Sequence, residues 1–385
     1  MKGMLIDMEK ISFKTDLFIG ENALDRLKEY ENKKIFIVTD PFIVSSGMID
    51  AVTSRISAKN EFAIFSDIIP DPPIENVVAG ISALNEFDGD MMVAIGGGSA
   101  IDAAKAMKFF GQKLGTVKAM PFVVIPTTSG TGSEVTNFSV ITNQEKAMKY
   151  PIVTDAILPD EAILDAELVR TVPPAITADT GMDVLTHALE AYVSTKANDY
   201  SDALCEKVVM LVFDYLERAY RNGDDMEARE KMHNASCLAG MAFNITSLGL
   251  NHGIAHTAGA KFHIPHGRMN TLLLQHVIRY NAGITDFQSI PTSEAAKRYT
   301  ALAKLLGLPA SNTRIGVRSL INEIKQLQKK LNMPTTLSEC GITKEVFTKE
   351  KHAIAVGALK DGCTATNPRI PKELEIEEIL ETMLV

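Results

Sequence analysis

The chain has 385 residues, 46% of them hydrophobic, which is enough to bury a sizeable interior and too long for one comfortable core, so two domains are expected. Forty-eight acidic against 39 basic side chains leave a net charge of -9, and no Lys/Arg run is dense enough for the basic face that nucleic-acid binding requires. The N-terminus MKGMLIDMEKISFK lacks a continuous apolar segment and a small-residue cleavage site, and no later stretch reaches the roughly 18 apolar residues of a membrane span, so a cytoplasmic protein is expected.

Up to about residue 170, apolar strand-length runs alternate with helical patterns, the rhythm of a parallel α/β sheet. The strands are KKIFIVTD, EFAIFSDI, MMVAIGGG and PFVVIPTT, with helix-like intervals beginning near Pro41, Ile74 and Ser99. From about Pro173 onward 3.6-period segments such as SDALCEKVVMLVFDYLERAY and SLINEIKQLQKKL take over, and the second half reads as all-helical. The division is placed at 1–178 and 179–385, with a ligand cleft between the two halves. Cys205, Cys237, Cys340 and Cys363 lie far apart with no Cys-x-x-Cys pair, and are expected to be reduced thiols in helices.

The strand MMVAI runs into Gly96, Gly97, Gly98 and Ser99 and then into the helix-like AIDAAKAMKFF. Backbone amides at such a junction can approach a phosphate, and the helix N-terminus adds free N–H groups and partial positive charge. The bland reading is a tight turn that needs glycine dihedrals, and the G-x-G-x-x-G spacing is missing. Two neighbours favour a nucleotide: the Gly/Ser/Thr-rich IPTTSGTGSEVT, and Asp40 at the end of IFIVT, both at carboxyl ends of strands. Asp40 reads equally well as the acceptor for a ribose hydroxyl, which would repel a 2'-phosphate, and as a helix cap before Pro41.

In the helical half, Asp183 and His187 stand four apart on one helix face. His252 and His256 repeat that spacing, and His263 and His266 follow, so four of the chain's eight histidines fall between positions 252 and 266. An aspartate with three imidazoles suits Fe(II), Zn(II) or another first-row divalent ion, and does not suit Mg or Ca. His233, His276 and His352 read as ordinary helix residues.

GGGSAIDAAKA, IPTTSGTGSEVT, GMDVLTHALEAYVS and NHGIAHTAGAKFHIPHG, in this order, resemble the motifs of the iron-dependent (group III) alcohol dehydrogenases over nearly the whole chain, and most closely the 1-propanol or ethanol dehydrogenases of diol-utilising bacteria. The resemblance implies a Rossmann-like N-terminal dinucleotide-binding α/β domain, an all-α C-terminal domain, the dehydroquinate synthase-like architecture that combines them, and a metal in the cleft. It carries the metal ligands onto Asp183, His187, His252 and His266, with Fe(2+) as the ion and Zn(2+) as the alternative. His256 matches a non-ligand histidine near nicotinamide and substrate. Gly96, Gly97, Gly98, Ser99 and Asp102 match the pyrophosphate turn and its helix. Thr127, Thr128, Thr131 and Lys149 match positions lining the nucleotide, and Asp40 matches the residue favouring NAD. Departures are local: Arg268 and Met269 after the PHG, Thr257 after His256, and Asp71 where many relatives have Asn. His263 has no assignment.

The implied reaction is hydride transfer between NAD(H) and a short-chain primary alcohol or its aldehyde, with His256 as a proton relay. Polyols such as propanediol or glycerol are the alternative substrates. A homodimer or larger assembly, and association with a bacterial microcompartment, are further implications. A lyase of the dehydroquinate-synthase type would need basic residues for a phosphorylated acid, and none cluster near the ligand motifs. A purely structural role fits poorly with an all-His/Asp ligand set.

Overall fold

Alternation of side chains along each early strand explains the layering of the N-terminal half. The computed structural model describes residues 11–145, 148–284 and 290–384, so the first ten residues, read above for a leader, lie outside it. The strands are β1 (Asp16–Ile19), β2 (Lys34–Val38), β3 (Glu61–Phe65), β4 (Met91–Gly96), β5 (Phe122–Pro126), β6 (Phe138–Asn143), β7 (Met148–Val153) and β8 (Glu161–Leu164). Among the described residues, six of them form one parallel sheet in the order β1-β8-β5-β4-β2-β3, while β6 and β7 form an antiparallel hairpin.

Phe36, Val38, Met92, Ala94, Phe122 and Val124 point to one face, against helices α3 (Ile74–Phe87) and α4 (Gly98–Lys113). Ile35, Ile37, Met91, Val93, Ile95, Val123 and Ile125 point to the other, against the short helices α1 (Pro41–Ser45) and α2 (Met48–Thr53). Because both faces are covered, the strands are near-continuous apolar runs. The four strands read from the sequence form as β2 to β5. Edge strand β1 (DLFI), β8 (EAIL) and the hairpin were not anticipated: the first two are four residues long, and the hairpin carries polar residues and Pro151.

The rest is helical: α5 (Pro174–Val193), α6 (Asp199–Arg221), α7 (Met226–Thr246), α8 (Leu250–Phe262), α9 (His266–Ala282), α10 (Glu294–Leu305), α11 (Thr313–Lys330), α12 (Lys344–Lys360) and α13 (Glu373–Glu381). The expected division at 178/179 falls inside α5, which is joined to β8 by a 3-10 turn at Ala166–Val169. Two apolar cores form here. One joins α5, α6, α7, α10 and α11, and the other joins α8, α12, α13 and one side of α9. The seam between them carries buried polar side chains: His187, Glu190, Asn251, His252, Asn270, Asn281 and Asn367. No helix among the described residues is long and apolar enough to cross a membrane. Cys205 and Cys237 are buried in α6 and α7 as expected, whereas Cys340 and Cys363 sit half-buried in short 3-10 turns.

Candidate active site

The parallel sheet brings the carboxyl ends of β2, β4 and β5 to one edge, where the predicted nucleotide residues gather. Gly96 closes β4 at φ +149, a conformation side chains rarely adopt, and a Cβ there would lie 2.8 Å from the Ala100 Cβ and 3.3 Å from Asp40 Oδ2. Gly97 precedes α4 without a side-chain cap, so the first-turn amides keep the free N–H groups and partial charge of an anion site. The Thr127 amide donates to the Gly96 carbonyl at 3.0 Å. Gly97 and Gly98 face Thr128 and Thr131 closely enough that a Cβ on Gly98 would stand 2.8 Å from Thr131 Cγ2. Gly96, Gly97, Gly98, Ser99, Thr127, Thr128 and Thr131 therefore form one rim.

Both readings of Asp40 have structural support. Its Oδ1 accepts from the Phe42 and Ile43 amides at 2.9 and 3.1 Å, capping α1, while Oδ2 faces Gly96. Lys149 lies on the hairpin, where its Nζ donates to Asp71 Oδ1 at 2.6 Å. Asp71, one of the departures noted in the sequence, thus partners a predicted nucleotide residue. Asp102 points inward: Ser133 Oγ donates to Oδ1 at 2.7 Å and the Val140 amide to Oδ2 at 2.9 Å. Burial raises this carboxyl. Beneath it Lys105, fully buried, donates to Ser133 Oγ and to the Thr136 and Phe138 carbonyls, and burial pushes its ammonium down to about 8. Asp102 and Lys105 fasten the threonine loop and the hairpin to α4 rather than facing the rim.

The same loop joins the helical half. Gly132 meets Gly240 of α7 backbone to backbone, with a Cβ on Gly132 falling 2.6 Å from the Gly240 Cα, and Ser129 Oγ lies 3.0 Å from His233 Nδ1. The glycines of SGTG thus serve close packing as well as any ligand.

On α5, Asp183 and His187 lie in the polar seam, with His187 Nε2 3.9 Å from Asp183 Oδ2. His252 of α8 and His266, the first residue of α9, bring their Nε2 atoms to 3.6 and 3.7 Å from Asp183 Oδ1. Donors held at about 2.1 Å by one tetrahedral ion stand about 3.4 Å apart, so the three separations from Asp183 are of the size a first-row divalent cation needs, and the donor atoms of Asp183, His187 and His252 all lie within 4.8 Å of one another. The donor chemistry fits as well: four nitrogen or carboxylate donors and no thiolate. Burial would raise the Asp183 carboxyl, yet His187, His266 and His252 hold it well below the usual carboxylate range. Burial pushes His187 down to about 4, which keeps its imidazole neutral. Burial would also lower His252, but Glu190 and Asp183 outweigh it and bring that imidazole up to about 9. Such a pocket attracts positive charge.

Close helix approach makes this convergence possible. A Cβ on Gly267 would fall 2.1 Å from the Asp179 carbonyl oxygen, so only glycine lets α9 reach α5 and deliver His266. Arg268 locks the crossing with paired bonds to Asp179, Nε to Oδ1 at 3.2 Å and Nη2 to Oδ2 at 3.0 Å. Gly267→Ala is expected to lose roughly 2–3 kcal/mol in a denaturant titration, the cost of overpacking against backbone. His263, unassigned from sequence, closes α8 in the left-handed region at φ 54, and the chain then turns into α9.

His256 sits one helical turn beyond His252 and is partly exposed. Its ring stacks on His266 with centroids 5.4 Å apart, and its Nδ1 lies 2.8 Å from Asp361 Oδ2. Four residues here escaped the sequence reading. Asp361 is 105 positions away, with no local signal. Glu190 did leave one: Asp183, His187 and Glu190 fall at i, i+4 and i+7 of one helix face. Asn251 and Asn270 flank the histidines. The Asn251 amide group donates to the Asn270 carbonyl and Oδ1 at 3.1 and 2.8 Å. That turns the Asn270 amide nitrogen to Asp183 Oδ1 at 2.7 Å, His252 Nε2 at 3.0 Å and His266 Nε2 at 3.1 Å.

Comparison with known proteins agrees across the chain. Residues 14–166 match the family described as iron-containing alcohol dehydrogenase, and residues 177–384 match the Fe-containing alcohol dehydrogenase family, C-terminal. The 1-propanol dehydrogenase PduQ of Citrobacter freundii is 46% identical over 379 residues, covering 98% of this chain and 100% of its own. A crystal structure of 1,3-propanediol oxidoreductase is similar at TM-score 0.87 and 32% identity, covering 98% of this chain and 100% of that one. Sulfoacetaldehyde reductase from Bifidobacterium kashiwanohense, solved in complex with NAD+, is similar at TM-score 0.85 and 28% identity, covering 99% of both chains.

Proposed function

The chain belongs to the iron-containing alcohol dehydrogenase family, and from that premise we propose that it reduces short-chain aldehydes of the propionaldehyde and acetaldehyde type to primary alcohols. It is an NAD-linked, metal-dependent oxidoreductase of alcohols and aldehydes. The observation carrying the reading is the three imidazole nitrogens on α5, α8 and α9 that lie 3.6 to 3.9 Å from the Asp183 carboxylate.

In this reading Asp183, His187, His252 and His266 hold the divalent ion. When bound, the ion supplies Lewis acidity toward the alcohol or aldehyde oxygen and the nicotinamide supplies the hydride acceptor or donor. The Gly96 to Ser99 turn and the Thr127, Thr128 and Thr131 rim hold the pyrophosphate end. Lys149 reaches the nucleotide from the hairpin, while Asp102 supports the rim from beneath. His256, steadied by Asp361, moves the hydroxyl proton between the site and water. The division into a nucleotide-binding part, 1–178, and a metal-binding part, 179–385, belongs to the same proposal, as do self-association and a place inside a bacterial microcompartment. Two cations beside the ligand motifs are already committed, Arg268 to Asp179 and Lys261 to Glu350, which argues against a phosphorylated acid substrate.

The test is NADH oxidation by protein reconstituted anaerobically with Fe(II) or Zn(II), offered acetaldehyde, propionaldehyde, lactaldehyde and dihydroxyacetone. Metal-dependent turnover of the simple aldehydes is the expected outcome. Preference for lactaldehyde or dihydroxyacetone would move the reading to polyols, a class favoured by the likeness to 1,3-propanediol oxidoreductase. Silence with every aldehyde and both metals, in protein that binds NADH, would end it.

Asp40 carries a separate expectation. Asp40→Ala removes the α1 cap, costing about 1 kcal/mol of stability. It also removes the carboxylate that would repel a 2'-phosphate, so the NADPH to NADH ratio of kcat/KM rises. An unchanged ratio with lowered stability would leave Asp40 as a cap alone.

A further inference from the structure

Glu190 is only 4% exposed, and no lysine or arginine pairs with it among the described residues. Its charge is met instead by the first turn of α8. Oε1 accepts from the Asn251 amide at 2.6 Å, Oε2 from the His252 amide at 3.4 Å, and His252 Nδ1 lies 2.5 Å from Oε2. Helix N-terminal amides favour a carboxylate at that place. Gly249 leaves room for it, since a Cβ there would stand 2.8 Å from Oε1.

The pairing decides which nitrogen of His252 carries hydrogen. An imidazole that gives the Nε2 lone pair to a metal carries its hydrogen on Nδ1, and Glu190 Oε2, 2.5 Å away, is placed to accept it. Nε2 is the atom that faces Asp183 Oδ1 at 3.6 Å, toward the other donors. The Asn270 amide nitrogen lies 3.0 Å from the same Nε2, a contact compatible with an acceptor there. A carboxylate behind an imidazole also makes it a stronger donor toward a metal.

We propose that Glu190 is a positioning residue: it sets the tautomer and the direction of the His252 ring, and thereby the affinity for a divalent cation, without touching the ion. The proposal rests on the metal-site reading above. Glu190 reaches the site from the same face of α5 that offers Asp183 and His187, so one helix supplies two donors and the partner that orients a third.

The test compares wild type, Glu190→Gln and Glu190→Asp, each loaded with Zn(II) and titrated against a chelating dye, with thermal unfolding in excess chelator as the control. Glutamine keeps the shape and an acceptor for the α8 amides. It must also offer an N–H, and directed at Nδ1 this moves the imidazole hydrogen to Nε2. Zinc affinity should fall roughly 10- to 100-fold in Glu190→Gln. Wild-type affinity in that variant overturns the proposal. Should Glu190→Gln fail to fold, Glu190→Asp decides, because it keeps the charge and shortens the reach: displaced visible bands with bound Co(II) and weaker zinc binding support positioning, and wild-type bands with wild-type affinity overturn it. Wild-type protein that holds neither Zn(II) nor Co(II) would instead defeat the metal-site reading itself.

Discussion

Asp183→Ala protein is expected to fold, to lose its divalent ion, and to reduce propionaldehyde roughly a thousandfold more slowly than the parent, a loss of about 4 kcal/mol of transition-state stabilisation. The carboxylate is the shared partner of the cluster. Oδ1 alone faces His252 Nε2, His266 Nε2 and the Asn270 amide, and Oδ2 faces His187. Removing it leaves three imidazoles with no anion between them, so both the charge and the geometric centre of the site disappear. Asp183→Asn separates these contributions, because it preserves shape and an acceptor oxygen but no charge. Metal content by elemental analysis, read beside turnover, checks the expectation. An Asp183→Ala protein that is metal-replete and active would remove this residue from the ligand set.

The second large effect is expected at His256. His256→Ala should keep its metal and its affinity for NADH while kcat falls roughly a hundredfold, the contribution of one positioned acid–base group. The reasons are positional. The ring stacks on His266 beside the donor cluster, is partly exposed, and is held through Nδ1 by Asp361, whose Oδ1 is itself fixed by the Cys363 amide at 2.8 Å. Asp361→Ala should therefore lower kcat in the same direction, by less, since the imidazole is still present but free to turn. Single-turnover hydride transfer with metal content measured in parallel checks both variants. Unchanged kcat in His256→Ala across pH would assign proton transfer elsewhere.

Much of this site was legible because its chemistry lies in short, contiguous motifs. An i, i+4 spacing places Asp183 beside His187, and His252 beside His256, on a helix face whatever else the chain does. The glycine turn likewise follows directly on a strand whose apolar run is plain. What escaped notice depends on partners distant in the chain. Glu190 shares the helical face of Asp183 and His187, but nothing before folding shows that α8 begins against it. Asp361 reaches His256 from the end of α12, whereas Asn270, four residues after His266 on α9, did leave a local signal, and only its contact with Asp183 needed the fold. Asp102 was read with the pyrophosphate turn, yet the hairpin strand β6, unseen in the sequence, supplies the Val140 amide that draws its carboxylate inward.

The sequence by itself determined the parallel α/β half, the helical half and the pairing of Asp183 with His187 and of His252 with His256 on helix faces, because strand alternation, helical period and local spacing act over a few residues; choosing His266 over its neighbours as a candidate donor took the family resemblance. Only the tertiary structure decided that His187, His252 and His266 come within 3.6 to 3.9 Å of Asp183, that Glu190 and Asp361 stand behind two of the histidines, and that the threonine loop bridges both halves. The physical reason is that these contacts arise between elements far apart in the chain, where glycine lets a backbone approach another backbone, as Gly267 does Asp179 and Gly132 does Gly240, or a side-chain carboxylate, as Gly249 does Glu190. A glycine in the sequence signals that freedom without naming the neighbour that uses it.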